Sequence, residues 1–367
     1  MNIDAERFPL IIQPGCNKEV WENSRRKEIL RMFSELVYGK SPLPPEKIYS
    51  EVLESDDNAL EGKAIKKIIK VGFNAPRGFF SFPLTMYVSK IPDKKVPAFL
   101  LINIKKKHML DLSQNITSEY WPVEYIVSRG YAAVHFDVWD IDTDTDDGFV
   151  NGIIPYFQDV TQRKPDDWAT IAAWAYGASR AMDYLETDEL IDASKVAVIG
   201  HSRGGKTALW CSAQDERFYL TISNNSGCTG AAVSRGKVGE TVKNINDRFP
   251  YWFCDNYKKF NNKEDSMPFD QHMLLALIAP RLLYVASATK DTWADPKSEF
   301  LSCVLAEEIY KMYGLKGLEY DGDEELPPPE HPLHNGSIGY HLRTGGHDLF
   351  LYDWKCYLDF ADKKLKG

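Results

Sequence analysis

The chain alternates between short apolar stretches and longer segments whose apolar residues recur at helical spacing. The apolar stretches predict β-strands at 63–73, 80–90, 97–104, 130–138, 195–200, 219–224 and 281–287. Helical spacing predicts a helix that begins at residue 203 and others at 21–37, 166–186, 296–313 and 351–365. Because short apolar strands alternate with helices, we predict an α/β fold whose mostly parallel central sheet is covered on both faces.

No internal repeat or low-complexity linker divides the chain. Its 367 residues, 44% of them hydrophobic, are enough to bury a sizeable core. Residues 1–45 resemble an N-terminal arm whose helix stops at Gly39, and the acidic, proline-rich stretch 319–332 resembles a surface loop. We therefore predict a single three-layer α/β domain over residues 1–367 that includes this arm.

Composition narrows the class of protein. The net charge of −9 argues against a nucleic-acid partner. No run of 18 apolar residues is present, so we expect no membrane span. The start of the chain, MNIDAERFPL, lacks the basic and apolar regions of a secretory leader. The six cysteines follow no metal-ligand spacing and leave both free thiols and disulfides open.

The pentapeptide GHSRG at 200–204 follows a predicted strand and precedes a predicted helix. In this context the G-x-S-x-G pattern indicates a strand–turn–helix elbow that holds its serine in a strained backbone conformation. Gly200 and Gly204 are the small residues that such a turn requires. The N–H group of Arg203 would lie at the helix start, where it can stabilise an oxyanion. The pattern therefore predicts Ser202 as a catalytic nucleophile.

A serine hydroxyl needs a base, and in α/β-hydrolases the chain order is serine, acid, histidine. His347 lies in TGGHDLF just before the last predicted helix, where the histidine loop of such enzymes belongs. His341 competes, but IGYHLRT is typical of a strand, so we expect its ring to pack or pair structurally. His201, next to Ser202, is expected to point away from it. We predict His347 as the general base.

The acid should lie in the loop that follows the strand predicted at 281–287. Asp291 lies in that loop, and Asp295, just before Pro296, is better placed to cap the next helix. A buried carboxylate in the loop would fix the histidine tautomer and stabilise the imidazolium. We predict Asp291 as the triad acid and keep Asp295 as the alternative.

A run of alternating aspartates resembles a calcium-binding loop, namely Asp140, Asp142, Asp144 and Asp146. An EF-hand loop needs glycine at its sixth position. That position is Thr145 when counting starts at Asp140 and Asp147 when it starts at Asp142. We therefore expect a polar loop at the carboxyl end of a strand, near the active-site edge, and neither a metal nor a cofactor.

Six segments resemble the glucuronoyl esterases of carbohydrate esterase family 15. They are GHSRGGK (200–206), NNSGC (224–228), ETVKNINDRFPYWF (240–253), FDQHMLLALIAPR (269–281), DTWADP (291–296) and GGHD (345–348). The Ser-Arg-x-Gly-Lys signature together with the second block is far more specific than G-x-S-x-G. Members of this family hydrolyse esters between 4-O-methyl-glucuronic acid on xylan and alcohols of lignin, so the resemblance implies a carbohydrate ester as the substrate.

The resemblance also assigns roles around the predicted triad. It implies that Arg203 places a guanidinium beside the oxyanion. Lys206, one helical turn after Ser202, would donate to sugar hydroxyls, and Glu240 would accept from them. Trp293 would offer an apolar face to the pyranose ring. Substrate binding is also expected at a residue in the same block as Glu240, namely Arg248.

Two positions depart from the fungal members of the family. Fungal members carry a glutamate where this chain has Asn225, which favours Asp291 as the acid. They also carry a cysteine where His201 stands, so their associated disulfide is not expected. An acetyl-xylan esterase, a general carboxylesterase and a catalytically silent carbohydrate-binding scaffold are the alternatives. A polymeric substrate implies secretion, whereas the start of the chain favours the cytoplasm, so the sequence leaves the location open.

Overall fold

One nine-stranded sheet runs through the computed structural model, which describes residues 7–91, 94–105, 118–322 and 324–365. Its strands are β1 (Ile48–Ala59), β2 (Ala64–Ala75), β3 (Gly78–Ser89), β4 (Val96–Asn103), β5 (Ala132–Asp137), β6 (Ile191–His201), β7 (Leu220–Asn224), β8 (Leu282–Ala288) and β9 (Ile338–Arg343). Their order is β1-β2-β3-β5-β4-β6-β7-β8-β9. All pairs from β5 to β9 are parallel, and the pairs β1–β2, β2–β3 and β3–β5 are antiparallel. The prediction of a mostly parallel sheet is confirmed.

Helices cover both faces of the sheet. They are α1 (Lys18–Val20), α2 (Arg26–Phe33), α3 (Val123–Ser128), α4 (Thr170–Leu185), α5 (Arg203–Gln214), α6 (Val242–Arg248), α7 (Gln271–Ala276), α8 (Pro296–Met312) and α9 (Leu351–Leu365). Helices α2, α4, α5, α7 and α8 contribute to an apolar core on one face, and α3 and α9 to a second core on the other. In β4, Leu100 lies in the first core and Leu101 in the second, because successive strand side chains alternate between faces.

The described part of the N-terminal arm contains a helical segment, as predicted at 21–37. Helices α1 and α2 are continued by π-helical turns, the second of which spans Ser34–Tyr38. The helical segment ends at Gly39, whose φ of 86° is readily adopted only by glycine. Tyr38 is fully buried and stacks on Trp210 of α5, with ring centroids 4.5 Å apart. The arm therefore packs into the core that lies beneath α5.

Strand β1 is an element that the sequence analysis did not predict. It is exposed along almost its whole length, so no apolar alternation marks it. Charged pairs with β2 accompany the backbone ladder: Lys66 Nζ lies 2.5 Å from Glu54, and Lys70 Nζ lies 2.8 Å from Glu51. An exposed edge strand leaves little hydrophobic signal in the sequence, because burial is what produces that signal.

Smaller differences concern helix boundaries. The helix predicted at 166–186 begins only at Thr170, because Asp166 accepts a hydrogen bond from the backbone of Lys40 and Asp167 bridges to the same residue. The short helices α3, α6 and α7 were not predicted. In the part of the chain that the structure describes, the stretch 319–332 has neither helix nor strand, and no helix is long and apolar enough to cross a membrane.

Candidate active site

Ser202 lies at the tight turn between β6 and α5. Its φ of 57° and ψ of −124° are a combination that residues other than glycine rarely adopt. The turn is held by its backbone: Ser202 N donates to the carbonyl of Asn224 at 2.8 Å, and the carbonyl of Ser202 accepts from Gly205 N at 2.9 Å. The strand–turn–helix elbow that the sequence predicts is therefore present, with Ser202 at its apex.

Gly200 is the glycine that the elbow needs most. A Cβ atom at this position would lie 2.0 Å from the carbonyl oxygen of Gly204, far inside van der Waals contact. A Cβ atom at Gly204 would come within 3.1 Å of the carbonyl of Ile102 on β4. Close packing of the first turn of α5 against β6 and β4 therefore explains both glycines of the motif.

The His347 ring is paired with Asp291. Nδ1 of His347 donates to Oδ2 of Asp291 at 2.6 Å, and the side chain of His347 is 43% exposed while that of Asp291 is 4% exposed. The same oxygen accepts from Nδ2 of Asn225 at 2.8 Å, and Oδ1 accepts from the N–H of Ala294 at 3.3 Å. Because Nδ1 is engaged, Nε2 is the ring nitrogen that remains to accept a proton.

The surroundings of Asp291 favour its charged form. Burial alone would raise the pKa of Asp291, but the hydrogen bond and charge of His347, together with the donors on Asn225 and Ala294, hold this pKa below its ordinary value. The carboxylate is thus ionised at neutral pH and can orient the imidazole and stabilise its protonated form.

Asp295, the alternative acid, caps a helix and does not contact His347. It is the N-cap of α8, where its side chain accepts from the N–H and the hydroxyl of Ser298 at 3.3 Å and 2.6 Å. Its Oδ2 also accepts from the N–H of Val238 at 2.9 Å. The structure therefore brings Asp291, and not Asp295, to His347.

The other two candidate histidines lie outside the pocket. His341 is fully buried on β9, and its Nε2 lies 2.8 Å from Oδ1 of Asp353, so the prediction of a structural pair is confirmed. His201 is also buried, and its ring packs on that of His347 with centroids 4.6 Å apart. Burial lowers the pKa of His201 to about 3, so this ring stays neutral behind His347.

A pocket of about 350 Å³ lies at the carboxyl ends of β6, β7 and β8. It brings together every residue that the sequence analysis assigned to the site: Ser202, Arg203, Lys206, Glu240, Arg248, Asp291, Trp293 and His347. Six further residues complete its wall: Asn225, Ser226, Gly227, Phe249, Trp252 and Ala294. Residues from five separate segments of the chain thus meet in one cavity.

Arg203 is the first residue of α5 and lines the pocket beside Ser202. Its backbone N–H belongs to the first turn of the helix, where such groups have no acceptor within the helix. Nε of its guanidinium lies 2.6 Å from Oδ2 of Asp144, and the guanidinium lies 5.9 Å from the centre of the Trp252 ring. The position offers a backbone donor and a cation next to the serine.

Lys206 is buried, and its Nζ donates to the carbonyl oxygens of Ser226 and Cys228 at 2.5 Å and 2.6 Å. Burial lowers the pKa of Lys206, and the negative charge of Glu240 acts in the opposite direction. Two of the three ammonium hydrogens are therefore used by the loop after β7. The third can serve a ligand in the pocket.

The remaining predicted residues form the pocket rim. Glu240 is buried, and its N–H donates to the carbonyl of Trp293 at 3.0 Å, which joins the two loops that carry them. The Trp293 side chain is 49% exposed. Arg248, at the end of α6, lies over the ring of Phe249 at 5.1 Å. An exposed aromatic face, a carboxylate and a cation therefore border one opening.

The alternating aspartates do not converge on a common point. Asp142 is buried against Thr170, Asp147 accepts from Thr143, and Asp144 faces Arg203. Within the residues that the structure describes, no cluster of His, Cys, Asp and Glu is arranged to hold a metal ion. The loop follows β5 at the carboxyl edge of the sheet, near the pocket, as the sequence analysis expected.

Comparison with known proteins decides the family. A model of fungal glucuronyl esterases matches residues 92–314. Carbohydrate esterase MZ0003 of an unknown prokaryotic organism is 40% identical over 98% of this chain and 89% of its own length. The chain belongs to the glucuronoyl esterase family. A glucuronoyl esterase from Solibacter usitatus has the same fold, with a TM-score of 0.90 at 40% identity over 98% of both chains.

A more distant member is the 4-O-methyl-glucuronoyl methylesterase of Hypocrea jecorina, which is 36% identical over 40% of this chain and 33% of that protein. Membership of the glucuronoyl esterase family makes this protein a carboxylic ester hydrolase with an α/β-hydrolase-type fold. The family, the fold class and the enzyme class that the sequence predicted are therefore confirmed.

The structure shows what Asn225 and His201 do, the two positions at which the sequence analysis noted a departure from fungal members. The side-chain amide of Asn225 donates to Asp291 and so supports the carboxylate of that residue. His201 is a buried ring that packs on His347, and all six cysteines of this chain are free thiols. Neither change removes a member of the His347–Asp291 pair.

Sequence reasoning missed two partners of this glucuronoyl esterase site. Asp144 was seen only as part of a polar loop, although its place after β5 at the carboxyl edge of the sheet was a usable signal. The amide of Asn225 was noted only as an absent acid. Phe249 and Trp252 form an aromatic wall of the pocket, and their rings stack with centroids 3.7 Å apart.

Proposed function

We propose that this enzyme cleaves 4-O-methyl-glucuronoyl esters of the lignin–xylan type by a Ser202–His347–Asp291 triad. The observation that carries the proposal is the 2.6 Å pair of His347 and Asp291, which borders the same pocket as Ser202 on its strained elbow. A nucleophile, a base and an acid that orients the base are the groups that serine ester hydrolysis requires.

In the first step, Oγ of Ser202 attacks the ester carbonyl, and its proton passes to Nε2 of His347. The carbonyl oxygen becomes an oxyanion, which the backbone N–H and the guanidinium of Arg203 stabilise. Asp291 holds the imidazole in the Nδ1–H tautomer and stabilises the imidazolium. Collapse of the tetrahedral intermediate breaks the ester C–O bond, and the alcohol leaves with the proton from His347.

In the second step, water replaces the alcohol. His347 takes a proton from the water as the hydroxide equivalent attacks the glucuronoyl-enzyme, and a second oxyanion forms beside Arg203. When this intermediate collapses, Ser202 regains its proton from His347 and the uronic acid is released. Water is the co-substrate that the second step consumes, and the proton that His347 takes in each step is returned within that step.

The pocket chemistry supports a sugar acid as the acyl group. Lys206 and Glu240 offer a donor and an acceptor for ring hydroxyls, and the exposed face of Trp293 suits the apolar face of a pyranose. Lys206, Glu240 and Trp293 are also the positions to which the resemblance to glucuronoyl esterases assigns sugar binding. The Hypocrea jecorina relative is a 4-O-methyl-glucuronoyl methylesterase, which supports the same substrate class for this chain.

The proposal is tested by hydrolysis of methyl or benzyl glucuronate beside p-nitrophenyl acetate, with wild type and Ser202→Ala. We expect glucuronate cleavage that disappears in the variant. Cleavage of acetate alone would keep the triad and reject the sugar-acid pocket in favour of a general carboxylesterase. If neither ester is cleaved, labelling of Ser202 by a fluorophosphonate separates an enzyme for another ester from a silent scaffold.

A further inference from the structure

The carboxylate of Asp144 lies behind the pocket wall and contacts three of the side chains around it. Its Oδ2 lies 2.6 Å from Nε of Arg203. Its Oδ1 accepts from Nε1 of Trp252 at 2.8 Å and from the hydroxyl of Tyr251 at 3.1 Å. Only 8% of the Asp144 side chain is exposed, compared with 25% of that of Arg203. One carboxylate thus joins the cation beside Ser202 to the aromatic wall of the pocket.

The backbone around Asp144 is itself fixed. Before it, the carbonyl of Asp142 accepts from Nε1 of Trp174 at 2.8 Å, and the Asp142 side chain accepts from Thr170 on α4. At Asp144 the hydroxyl of Tyr251 also donates to the main-chain carbonyl at 3.0 Å. These hydrogen bonds hold the loop after β5 in place and so fix the position of the Asp144 carboxylate.

The guanidinium of an arginine is carried by a side chain with four rotatable bonds. It must be held in place by its neighbours if it is to donate to an oxyanion. Arginine has many rotamers, and a displacement of about 1 Å at a reacting centre can cost roughly 100-fold in rate. Asp144 engages the Nε side of Arg203, and Nη2 lies 3.5 Å from the carbonyl of Ile104. The ring of Trp252, held by the same carboxylate, limits movement towards the wall.

We propose that Asp144 is a positioning residue that fixes the Arg203 guanidinium for oxyanion stabilisation. The inference rests on the role proposed above for Arg203. Asp144 is not among the residues that line the pocket, so it acts through Arg203. Its effect is therefore expected on the chemical step, with little effect on substrate binding.

The test is a double-mutant cycle of Asp144→Asn and Arg203→Ala. The asparagine keeps an oxygen for Trp252 and Tyr251 but turns an amide towards Arg203 and removes the ion pair. We expect kcat to fall about 10- to 100-fold for Asp144→Asn with KM changed less than about threefold. In the Arg203→Ala background the same substitution should change kcat less than about threefold, because the partner is already gone.

A matched control is Asp146→Asn, which changes an exposed carboxylate two residues along the same loop and should leave kcat unaltered. Asp144→Glu is the second variant, since it keeps the charge and should retain more activity than Asp144→Asn. Unfolding midpoints by circular dichroism show whether each variant is folded at the assay temperature. Unchanged kcat in Asp144→Asn, or effects that multiply in the cycle, would overturn the proposal.

The substrate choice keeps this test separate from that of the proposed function. The cycle is run on methyl glucuronate and on p-nitrophenyl acetate, and on the rate of fluorophosphonate labelling of Ser202, which also develops an anionic oxygen. If glucuronate is not cleaved, the proposed substrate fails, while coupling of Asp144 to Arg203 on the other two reactions still supports the positioning role. If the rate losses of the two single variants multiply in the double variant on all three reactions, that role is rejected whatever the substrate.

Discussion

Two histidine–aspartate pairs lie near each other in this protein. Both are hydrogen-bonded, but they differ in how far their side chains are exposed to solvent. His347 and Asp291 are 2.6 Å apart at the pocket, and His341 and Asp353 are 2.8 Å apart in the interior. The His347 side chain is 43% exposed, whereas both side chains of the second pair are fully buried. The same two residue types therefore occur in two opposite environments.

The buried pair is part of a larger ionic cluster. Asp353 also accepts from Nε of Arg343 at 3.1 Å and from the N–H of Phe350 at 2.8 Å. Burial would lower the pKa of His341, but the hydrogen bond that its ring donates to Asp353, together with the nearby Cys356, outweighs burial and raises this pKa to about 9. His341 is thus protonated at neutral pH and lies in the interior, where no substrate can reach it to exchange a proton.

The buried cluster also supports the exposed pair. Nη2 of Arg343 donates to the carbonyls of Gly346 and Asp348, at 2.9 Å and 3.0 Å, and these residues flank His347. The comparison teaches that burial and accessibility, and not the pair itself, separate a group for proton transfer from a group for stability.

His347→Ala should lower kcat on the order of 10⁴-fold or more, because the base that activates Ser202 is lost. The unfolding midpoint should change little, since the ring is partly exposed. Initial rates on the ester that the wild type cleaves, with a circular dichroism melt, measure both. A variant that keeps more than a hundredth of the wild-type kcat would show that another group is the base.

Asp291→Asn should lower kcat roughly 10³- to 10⁴-fold, since the amide cannot stabilise the imidazolium and can favour the wrong tautomer. The matched control is Asp295→Asn, which changes the helix cap and should affect stability by about 1 kcal/mol with little change in kcat. A larger loss of kcat in Asp295→Asn than in Asp291→Asn would reverse the assignment of the acid.

Asp353→Asn should reduce the free energy of unfolding by about 3–5 kcal/mol, because it leaves two buried cations without their carboxylate. Chemical denaturation measures this loss. The control is Asp359→Asn on the same helix, whose exposed ion pair with Arg129 is worth about 0–1 kcal/mol. If both variants lose the same free energy of unfolding, the buried cluster contributes no more to stability than an exposed ion pair.

The stability of the folded protein should depend on the pH through His341. Its folded-state pKa of about 9 lies above the ordinary value of 6.5, so its contribution is fully present below pH 6.5 and is lost as the pH rises to about 9. The loss should amount to at most about 3 kcal/mol. Unfolding free energies measured across this range for wild type and His341→Gln check it: the variant should lack this part of the slope.

The sequence predicted most of the parallel sheet and the elements that carry the site. The strand before Ser202, the helix after it and the last helix, predicted and found at residues 351–365, all have strong local patterns. The serine motif and the order of Ser202, Asp291 and His347 along the chain are also local or topological signals. Strand β1 was missed, because a strand exposed to water carries no apolar period.

The sequence by itself determined the residues that follow β6, β8 and β9, namely Ser202, Asp291 and His347. Backbone geometry at the elbow and the order of the triad along the chain make these positions recognisable. What only the tertiary structure decided is which partners those residues meet. The pairing of Arg203 with Asp144 joins positions that are 59 residues apart in the chain. Such contacts depend on how two loops pack at one edge of the sheet, and packing over that distance leaves no periodic trace in the chain.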